Sequence, residues 1–270
     1  MNKTAALAIL TSGADWWQYY AQAILVKQQK SGNRIRINTL LNAKSGLCSE
    51  DCGYCAQSKK SKAPVNRYGL LPKDEIIRKA LIAKKNKSSV FCIALSGTRP
   101  TTREIALLCD AIQEIKHAMD MEICLSIGLV TKEQIQLLKE AGVDTCSGFI
   151  CGMGETDQQL VDMAFELKAL GPYSVPVNFL LPIDGTKLEG HHQLTPTKCL
   201  KILVMLRLLF PETELRVSAG REYHLGELQQ MALLIVDSIF LGNYLTEKGA
   251  DISDVQKMID QLGLAVEGVC

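Results

Sequence analysis

The sequence predicts an α/β protein in which helices cover a parallel sheet. From Arg34 onward, short apolar or β-branched runs alternate with segments of helical periodicity, and Gly or Pro separates the units. Strands and helices that alternate in this way form parallel sheets, because each helix is the crossover between two strands. Right-handed crossovers lead either to an open doubly wound sheet or to a closed barrel, and the spacing alone does not decide between them.

Seven runs have the length and composition of strands. They lie at residues 35–41, 90–95, 122–127, 145–150, 175–181, 215–218 and 238–241. A closed β/α barrel has eight strands. If the sheet closes at all, the count therefore predicts a barrel that is seven-stranded or incomplete.

The expected helices lie between these strands. They cover the segment after Pro72 and residues 105–115, 132–141, 160–167, 196 onward, 225–235 and 252–261. In the helix after Pro72, we assign the inner face to Ile76, Ile77, Ala80 and Leu81. Gly142 suits the position after a helix end. Thr195 and Pro196 suit an N-cap and a first helical position.

The first thirty residues predict two helices, at 4–10 and 15–28. The second carries Trp16, Trp17, Tyr19 and Tyr20. We interpret these aromatic residues as packing groups of a helical cap rather than as a cofactor-binding cluster. The predicted domains are this cap, residues 1–33, and a second domain over residues 34–270.

Composition narrows the function classes. The chain has 270 residues with 30 basic and 29 acidic side chains, so its charge of +1 favours neither nucleic acid nor an anionic membrane as partner. The apolar run from Ala5 to Leu10 is short for a signal peptide, and we expect a cytoplasmic protein. In such a chain, ten cysteines indicate reduced thiols that serve metal binding or catalysis.

The strongest local signal is a loop with three closely spaced cysteines. Cys48, Cys52 and Cys55 follow the first strand with the spacing C-x3-C-x2-C. Three thiolates can hold three irons of a [4Fe–4S] cluster and leave the fourth iron open to a small molecule. A structural zinc site would need a fourth ligand, and no further Cys or His lies nearby. The loop therefore predicts a catalytic iron–sulfur cluster.

A second set of candidate ligands is spread over the chain. Cys92, Cys124 and Cys146 lie on separate predicted strands, and Arg216 lies on another. These cysteines could be ordinary buried thiols, as we expect for Cys109, Cys151, Cys199 and Cys270. They could also converge, because inward-facing residues of different strands form layers inside a barrel. The residues alone leave both interpretations open.

Taken together, these motifs resemble biotin synthase, a family of the radical S-adenosylmethionine (SAM) superfamily. The three-cysteine loop is similar to the superfamily signature. Segments similar to the family follow in the family's order, at residues 42–58, 91–93, 123–125, 146–148, 152–156, 174–180, 216–222 and 238–242. The resemblance extends from about residue 34 to residue 263 and implies a TIM-like parallel β/α barrel after the helical cap.

The resemblance also implies a reaction and its cofactors. In the superfamily, the open iron binds SAM, and a one-electron reduction cleaves SAM to methionine and a 5′-deoxyadenosyl radical. Biotin synthase uses this chemistry to insert sulfur into dethiobiotin. The implied partners are a flavodoxin or ferredoxin as electron donor and a second copy of the chain in a homodimer.

By the same resemblance, individual residues receive roles. Cys48, Cys52 and Cys55 would hold the [4Fe–4S] cluster. Cys92, Cys124, Cys146 and Arg216 would hold a [2Fe–2S] cluster that donates the sulfur. Tyr54 would lie beside the adenine of SAM, Glu155 would contact the cofactor, and Asn178 would line the substrate pocket.

One departure from the family affects the expected activity. After Asp144 the family continues with a strand of Tyr-Asn-His-Asn type and a helix, whereas here Thr145 and Cys146 follow directly. A strand–helix unit of about 30 residues or more is absent, and we expect a gap in the barrel at this point. Two alternatives therefore accompany biotin synthase: another radical SAM enzyme acting on a small molecule, and an iron–sulfur protein whose catalysis is impaired.

Overall fold

A computed structural model of the chain describes residues 1–13, 15–143 and 146–267. Its strands are β1 Arg34–Lys44, β2 Val90–Leu95, β3 Glu122–Ser126, β4 Phe149–Cys151, β5 Ser174–Phe179, β6 Glu214–Val217, β7 Ser238–Leu241 and β8 Ala265–Val266. Its helices are α1 Lys3–Thr11, α2 Trp16–Ser31, α3 Lys73–Lys85, α4 Thr102–Ala118, α5 Lys132–Glu140, α6 Asp157–Ala169, α7 Pro196–Leu209, α8 Arg221–Leu225, α9 Gln229–Leu233 and α10 Ile252–Gln261.

The main strands form one parallel sheet in the order β3-β2-β1-β7-β6-β5-β4, and β8 pairs with the beginning of β1. The sheet curves into a half-barrel, which confirms the predicted α/β fold with an incomplete, seven-stranded barrel. Its two edge strands, β3 and β4, make no ladder with each other among the described residues. The opening therefore lies where the sequence predicts the missing unit.

The fourth strand was predicted in the wrong place. We expected it at residues 145–150, but β4 begins at Phe149, and Cys146 forms only an isolated parallel bridge with Ser174; Thr145 lies outside the described residues. Next to β4, Pro176 has no backbone N–H to extend the ladder. Gly148 also packs so closely on β5 that an added Cβ would lie 1.9 Å from the Pro176 carbonyl oxygen.

Two helix predictions also need correction. The segment 225–235 is not one helix, because Gly226 adopts a φ of +50° and separates α8 from α9. On α3, the buried face consists of Ile76, Ala80 and Ala83. Leu81, which we placed on this face, is 53% exposed, because it does not share the i, i+4, i+7 spacing of the buried residues.

The helices that follow the strands begin at defined caps on the side of the sheet where the strands end. Thr101, Thr131 and Thr156 each form a capping box with the residue three positions on. Thr195 caps α7, with Pro196 at its first position, as predicted. These caps fix the loops between strand ends and helix starts, where barrels of this class carry their chemistry.

The N-terminal helices pack against the rest of the structure. Trp16 and Tyr20 are buried in the largest of the three apolar clusters that the described residues form, and the Tyr20 hydroxyl donates to the Met231 carbonyl at 3.0 Å. These contacts support the packing interpretation of the α2 aromatic residues. Within the part of the chain that the structure describes, no helix combines the length and apolarity needed to span a membrane.

Candidate active site

The three-cysteine loop connects β1 to α3 at the end of β1. Its backbone is folded on itself: Cys48 N–H donates to the Gln57 carbonyl at 3.3 Å, and Lys59 N–H donates to the Cys48 carbonyl at 2.9 Å. The Gln57 side chain accepts from Gly46 N–H at 3.2 Å, and the Ser96 hydroxyl donates to the Gly46 carbonyl at 2.5 Å. The loop is therefore held to the ends of β1 and β2.

Gly46 is required at the start of this loop. It has a φ of +68°, and a Cβ would meet the Arg67 side chain at 2.7 Å. Leu47, the next residue, also has a left-handed φ of +62°. Two consecutive residues in this region turn the chain sharply before the first cysteine.

The loop thiols lie near one another at the surface of the structure. Cys52 is exposed, and Cys48 and Cys55 are half-buried. Burial raises the pKa of Cys55, and the charges of Cys52 and Cys48 raise it further. Burial also raises the pKa of Tyr54, with the same three thiols adding to the effect. Metal binding would relieve this mutual repulsion, because a metal ion stabilises thiolates.

The second set of candidate ligands converges in the interior. Cys92 and Cys124 are direct partners in the β2–β3 register, and both are buried. The Sγ atoms of Cys124 and Cys146 lie 3.0 Å apart across the barrel opening. Arg216 on β6 is 1% exposed. Convergence is thus the interpretation that the structure favours for these four residues.

The inner thiols are electrostatically coupled. The Cys146 thiol lowers the pKa of Cys124, but the Cys92 thiol and burial outweigh this effect and raise it to about 12. The Cys124 thiol and burial raise the pKa of Cys146. The raised pKa of Cys124 and of Cys146 favours the protonated thiol, so metal binding at these two residues would release protons.

No group of three or more Cys, His, Asp or Glu side chains among the described residues could share a single metal ion. This is compatible with iron–sulfur clusters, because cluster cysteines bind different irons and stand further apart than the ligands of one ion. The donor sets fit the two clusters. The loop offers three thiols, and the interior offers three thiols and one guanidinium.

A cavity of about 460 Å³ joins the two sets. Its lining includes Leu40, Tyr54, Cys55, Cys92, Cys124, Cys146, Asn178, Leu180, Arg216, Phe240 and Tyr244. Among the loop thiols, Cys55 reaches this cavity, and Cys52 and Cys55 line a neighbouring surface pocket. A small molecule in the cavity would lie between the loop and the inner thiols.

The three residues with expected contacts to ligands differ in their placement. Tyr54 and Asn178 line the cavity. The Asn178 amide accepts from Ala219 N–H at 3.2 Å and donates to the Phe149 carbonyl at 3.4 Å. Glu155 is not among the described lining residues; its carboxylate accepts from Gly152 N–H at 2.5 Å and Met153 N–H at 2.8 Å.

Sequence reasoning missed several residues around the site. Tyr244 is buried in the loop after β7, lines the cavity and donates to Glu222 Oε2 at 2.9 Å. No sequence pattern marks it. Glu122 and Glu214 were also missed, although each lies two positions before a predicted ligand on its strand and therefore on the same face. That period of two was an available signal.

Two protein-family profiles match the chain. Residues 44–150 match the radical SAM superfamily, and residues 176–265 match the biotin and thiamin synthesis associated domain. Among solved structures, methylornithine synthase superposes with a TM-score of 0.77 at 18% identity, covering 98% of this chain and 94% of the other. The hydrogenase maturase HydG from Carboxydothermus hydrogenoformans superposes with a TM-score of 0.79 at 17% identity, covering 98% and 76%. These structures establish the fold.

The fold, the three-cysteine loop and the superfamily match define a radical SAM enzyme. Biotin synthase from Streptococcus agalactiae serotype III is 48% identical over 94% of this chain and 89% of the relative. Biotin synthase from Lysinibacillus sphaericus is 38% identical over 97% and 91%. The chain belongs to the biotin synthase family, whose radical SAM sulfurtransferases use a [4Fe–4S] cluster, a [2Fe–2S] cluster and SAM.

The relatives are longer than this chain in the aligned region. The biotin synthase of Halalkalibacterium halodurans aligns over 308 positions that cover 100% of the 270 residues. At least 38 positions of that alignment, the difference between the two lengths, therefore have no residue of this chain. This length fits the absent strand–helix unit inferred from the sequence.

Proposed function

We propose that this chain inserts sulfur into dethiobiotin to form biotin. Cys48, Cys52 and Cys55 would hold the [4Fe–4S] cluster at the mouth of the cavity. The inner residues Cys92, Cys124, Cys146 and Arg216 would hold the [2Fe–2S] cluster. When bound, the first cluster with SAM supplies the radical that activates a C–H bond, and the second supplies sulfur.

One observation carries this proposal: a cavity is lined by members of both donor sets. Sulfur insertion needs the carbon to lie near the radical source and the sulfur source at once, because an effective reaction requires close, oriented partners. Tyr54 and Cys55 line one part of the cavity, and Cys92, Cys124 and Cys146 line another. An enzyme that used only the loop cluster would have no need for the inner set.

The remaining lining residues suit a small, partly apolar substrate. Leu40, Leu180 and Phe240 offer apolar contacts and would exclude water from the reacting atoms. The amide of Asn178 is held by backbone groups on two sides. A fixed amide can bind a polar group of the substrate in one orientation.

We also propose that a flavodoxin or ferredoxin delivers the electron beside the loop. The surface pocket that contains Cys52 and Cys55 is also lined by Lys60, Lys62 and Lys187. A lysine-rich rim favours an acidic carrier through electrostatic steering. Asp51 and Glu189 line the same pocket and offset part of this charge; Asp51 pairs with Lys187 at 2.6 Å and with Lys60 at 3.4 Å.

Complementation tests the proposed function. A biotin auxotroph that lacks its own synthase should grow on dethiobiotin when this chain is expressed, and it should not grow with Cys124→Ala. Iron and sulfide content after anaerobic reconstitution distinguishes the alternatives. Two clusters support the proposal, one favours another radical SAM reaction, and none indicates a protein without this chemistry.

A further inference from the structure

Below the inner cysteines lies a closed ring of four charged side chains. Arg36 donates to Glu122 Oε2 and to Glu214 Oε2, both at 2.5 Å. Arg216 donates through Nη2 to Glu122 Oε1 at 2.9 Å and through Nε to Glu214 Oε1 at 2.8 Å. Arg216 Nη2 also donates to Glu214 Oε2 at 3.4 Å, so each carboxylate accepts from both arginines. We call these four residues the charge ring.

The side chains of the charge ring are largely shielded from solvent, and each of them has hydrogen-bonding partners. The side chain of Glu214 is 8% exposed and that of Arg216 is 1% exposed, whereas Arg36 and Glu122 are 17% and 16% exposed. The Ser238 hydroxyl donates a further bond to Glu214 at 2.8 Å. Breaking a buried ion pair by removing one partner leaves an uncompensated charge, so each member depends on the others.

The ring connects strands that do not pair with each other. Glu122 is the first residue of the edge strand β3, and Glu214 is the first residue of β6, which lies on the other side of β1 and β7. On its outer side β3 makes no ladder within the described parts of the chain. The ring therefore ties the open edge of the half-barrel to its opposite wall.

This tie acts on two of the proposed ligands. Cys124 lies two residues after Glu122 on β3, and Arg216 lies two residues after Glu214 on β6. The 3.0 Å contact between Cys124 and Cys146 crosses the opening, on the outer side of β3, where β3 has no ladder among the described residues. The two carboxylates also fix the Arg216 guanidinium through Nε and Nη2, so that Nη1 is the nitrogen that neither engages.

We propose that Arg36, Glu122 and Glu214 are positioning residues for the inner site: they close the open side of the half-barrel from within and hold Cys124 and Arg216 in place. This inference rests on the proposed function in one respect, namely that Cys124, Cys146 and Arg216 are cluster ligands. The geometric part of the inference is independent of that function, because the charge ring would hold Cys124 close to Cys146 in the cluster-free chain as well.

The test measures the separation of the two thiols without a cluster. The full cluster-free chain is treated with diamide, which accepts the two electrons and two protons that the thiols lose, and peptide mapping follows the Cys124–Cys146 disulfide. Glu122→Gln keeps the side-chain size and removes the charge. We expect it to slow this disulfide by roughly tenfold, less than the roughly hundredfold loss that a displacement of about 1 Å can cause between reacting groups.

Asp237→Asn is the matched control. Asp237 is also a buried carboxylate, paired with Arg207 at 2.6 Å and with Lys30 at 2.8 Å. It accepts from the Leu215 backbone N–H on β6 at 2.8 Å, but it makes no described hydrogen bond with a side chain of the charge ring. We expect this variant to form the Cys124–Cys146 disulfide at the rate of the unchanged chain. Equal slowing by Asp237→Asn would overturn the proposal, because the effect would then reflect general destabilisation.

An unchanged rate in folded Glu122→Gln, with folding checked by circular dichroism, would also overturn the proposal. If Glu122→Gln does not fold, Arg36→Lys takes its place, since it keeps the charge but cannot bridge both carboxylates as a fork. A second measurement uses the reconstituted chain. The Mössbauer signal of the [2Fe–2S] cluster should fall in Glu122→Gln while that of the [4Fe–4S] cluster is unchanged. Failure of the proposed function alone would leave the disulfide result intact.

Discussion

At the scale of single residues, the proposed site contains thiols that hold their protons more firmly than free cysteine does in the absence of a metal. Burial and neighbouring thiols raise the pKa of Cys55, Cys124 and Cys146. Each thiol must lose its proton to bind iron, so cluster assembly is coupled to proton release. The number of thiols in each set then decides what the set can hold.

Replacement of the loop cysteines is expected to abolish reductive SAM cleavage. Cys48→Ala, Cys52→Ala and Cys55→Ala each remove a thiolate from a cluster that has no spare protein ligand. The measurement is 5′-deoxyadenosine formation by the reconstituted enzyme under reducing conditions. Cys109→Ala is the control, because Cys109 is half-buried on α4, packs against an apolar cluster away from the loop, and donates only to the Leu137 carbonyl, at 3.8 Å, among the described groups. A triple loop variant that forms 5′-deoxyadenosine at the original rate would refute the ligand assignment.

At the scale of secondary structure, pattern reasoning located the buried apolar strands more closely than the short strand beside the opening. The bounds of β2 and β7 match the prediction, and β3 differs by one residue at its end. It failed for β4, where the absence of a backbone N–H in Pro176 and the packing of Gly148 delay the ladder. It also missed β8, because two residues are too short to show alternation.

The same contrast applies to the site. Spacing was enough to predict the three-cysteine loop, because its ligands are local in sequence. The inner set could not be decided from the residues alone, because its convergence depends on sheet curvature. The charge ring escaped notice because it depends on long-range contacts between β1, β3 and β6.

Gly148→Ala is expected to destabilise the β4–β5 pairing. Its Cβ would lie 1.9 Å from the Pro176 carbonyl oxygen, which is backbone and cannot move independently of β5. We expect a loss of about 2 kcal/mol in the free energy of unfolding, typical of steric disruption in a packed region. Urea denaturation measures it. Gly69→Ala is the control, since a Cβ there meets no atom within 4 Å; equal stability of the two variants would contradict this packing.

At the scale of the whole molecule, the half-barrel keeps every proposed cluster ligand but lacks the strand–helix unit that would lie between β3 and β4. The aligned relatives carry at least 38 more positions, and the sheet is open between β3 and β4. Ligands from both sides of the opening still meet, as the contact between Cys124 and Cys146 shows. Substrate contacts that a strand at this place would supply are absent, so binding and positioning are affected more than cluster assembly.

Restoring the absent unit is expected to increase the rate of biotin formation. A strand–helix segment from a longer relative is inserted between Asp144 and Thr145, and a Gly/Ser segment of equal length serves as control. A strand that adds hydrogen bonds to the substrate, each contributing about 0.5–1.5 kcal/mol, should raise the single-turnover rate by roughly tenfold or more. Equal rates with and without the strand–helix segment would show that the half-barrel is sufficient.

The most direct test of the proposed function follows the sulfur atom from the reconstituted chain into biotin. The chain is reconstituted anaerobically with ³⁴S-labelled sulfide and given SAM, dethiobiotin and a reductant for one turnover, and the biotin is analysed by mass spectrometry. We expect ³⁴S in the biotin from the unchanged chain and no labelled biotin from Cys124→Ala, although this variant still cleaves SAM. Labelled biotin from Cys124→Ala at the level of the unchanged chain would contradict the role of the inner site as sulfur donor.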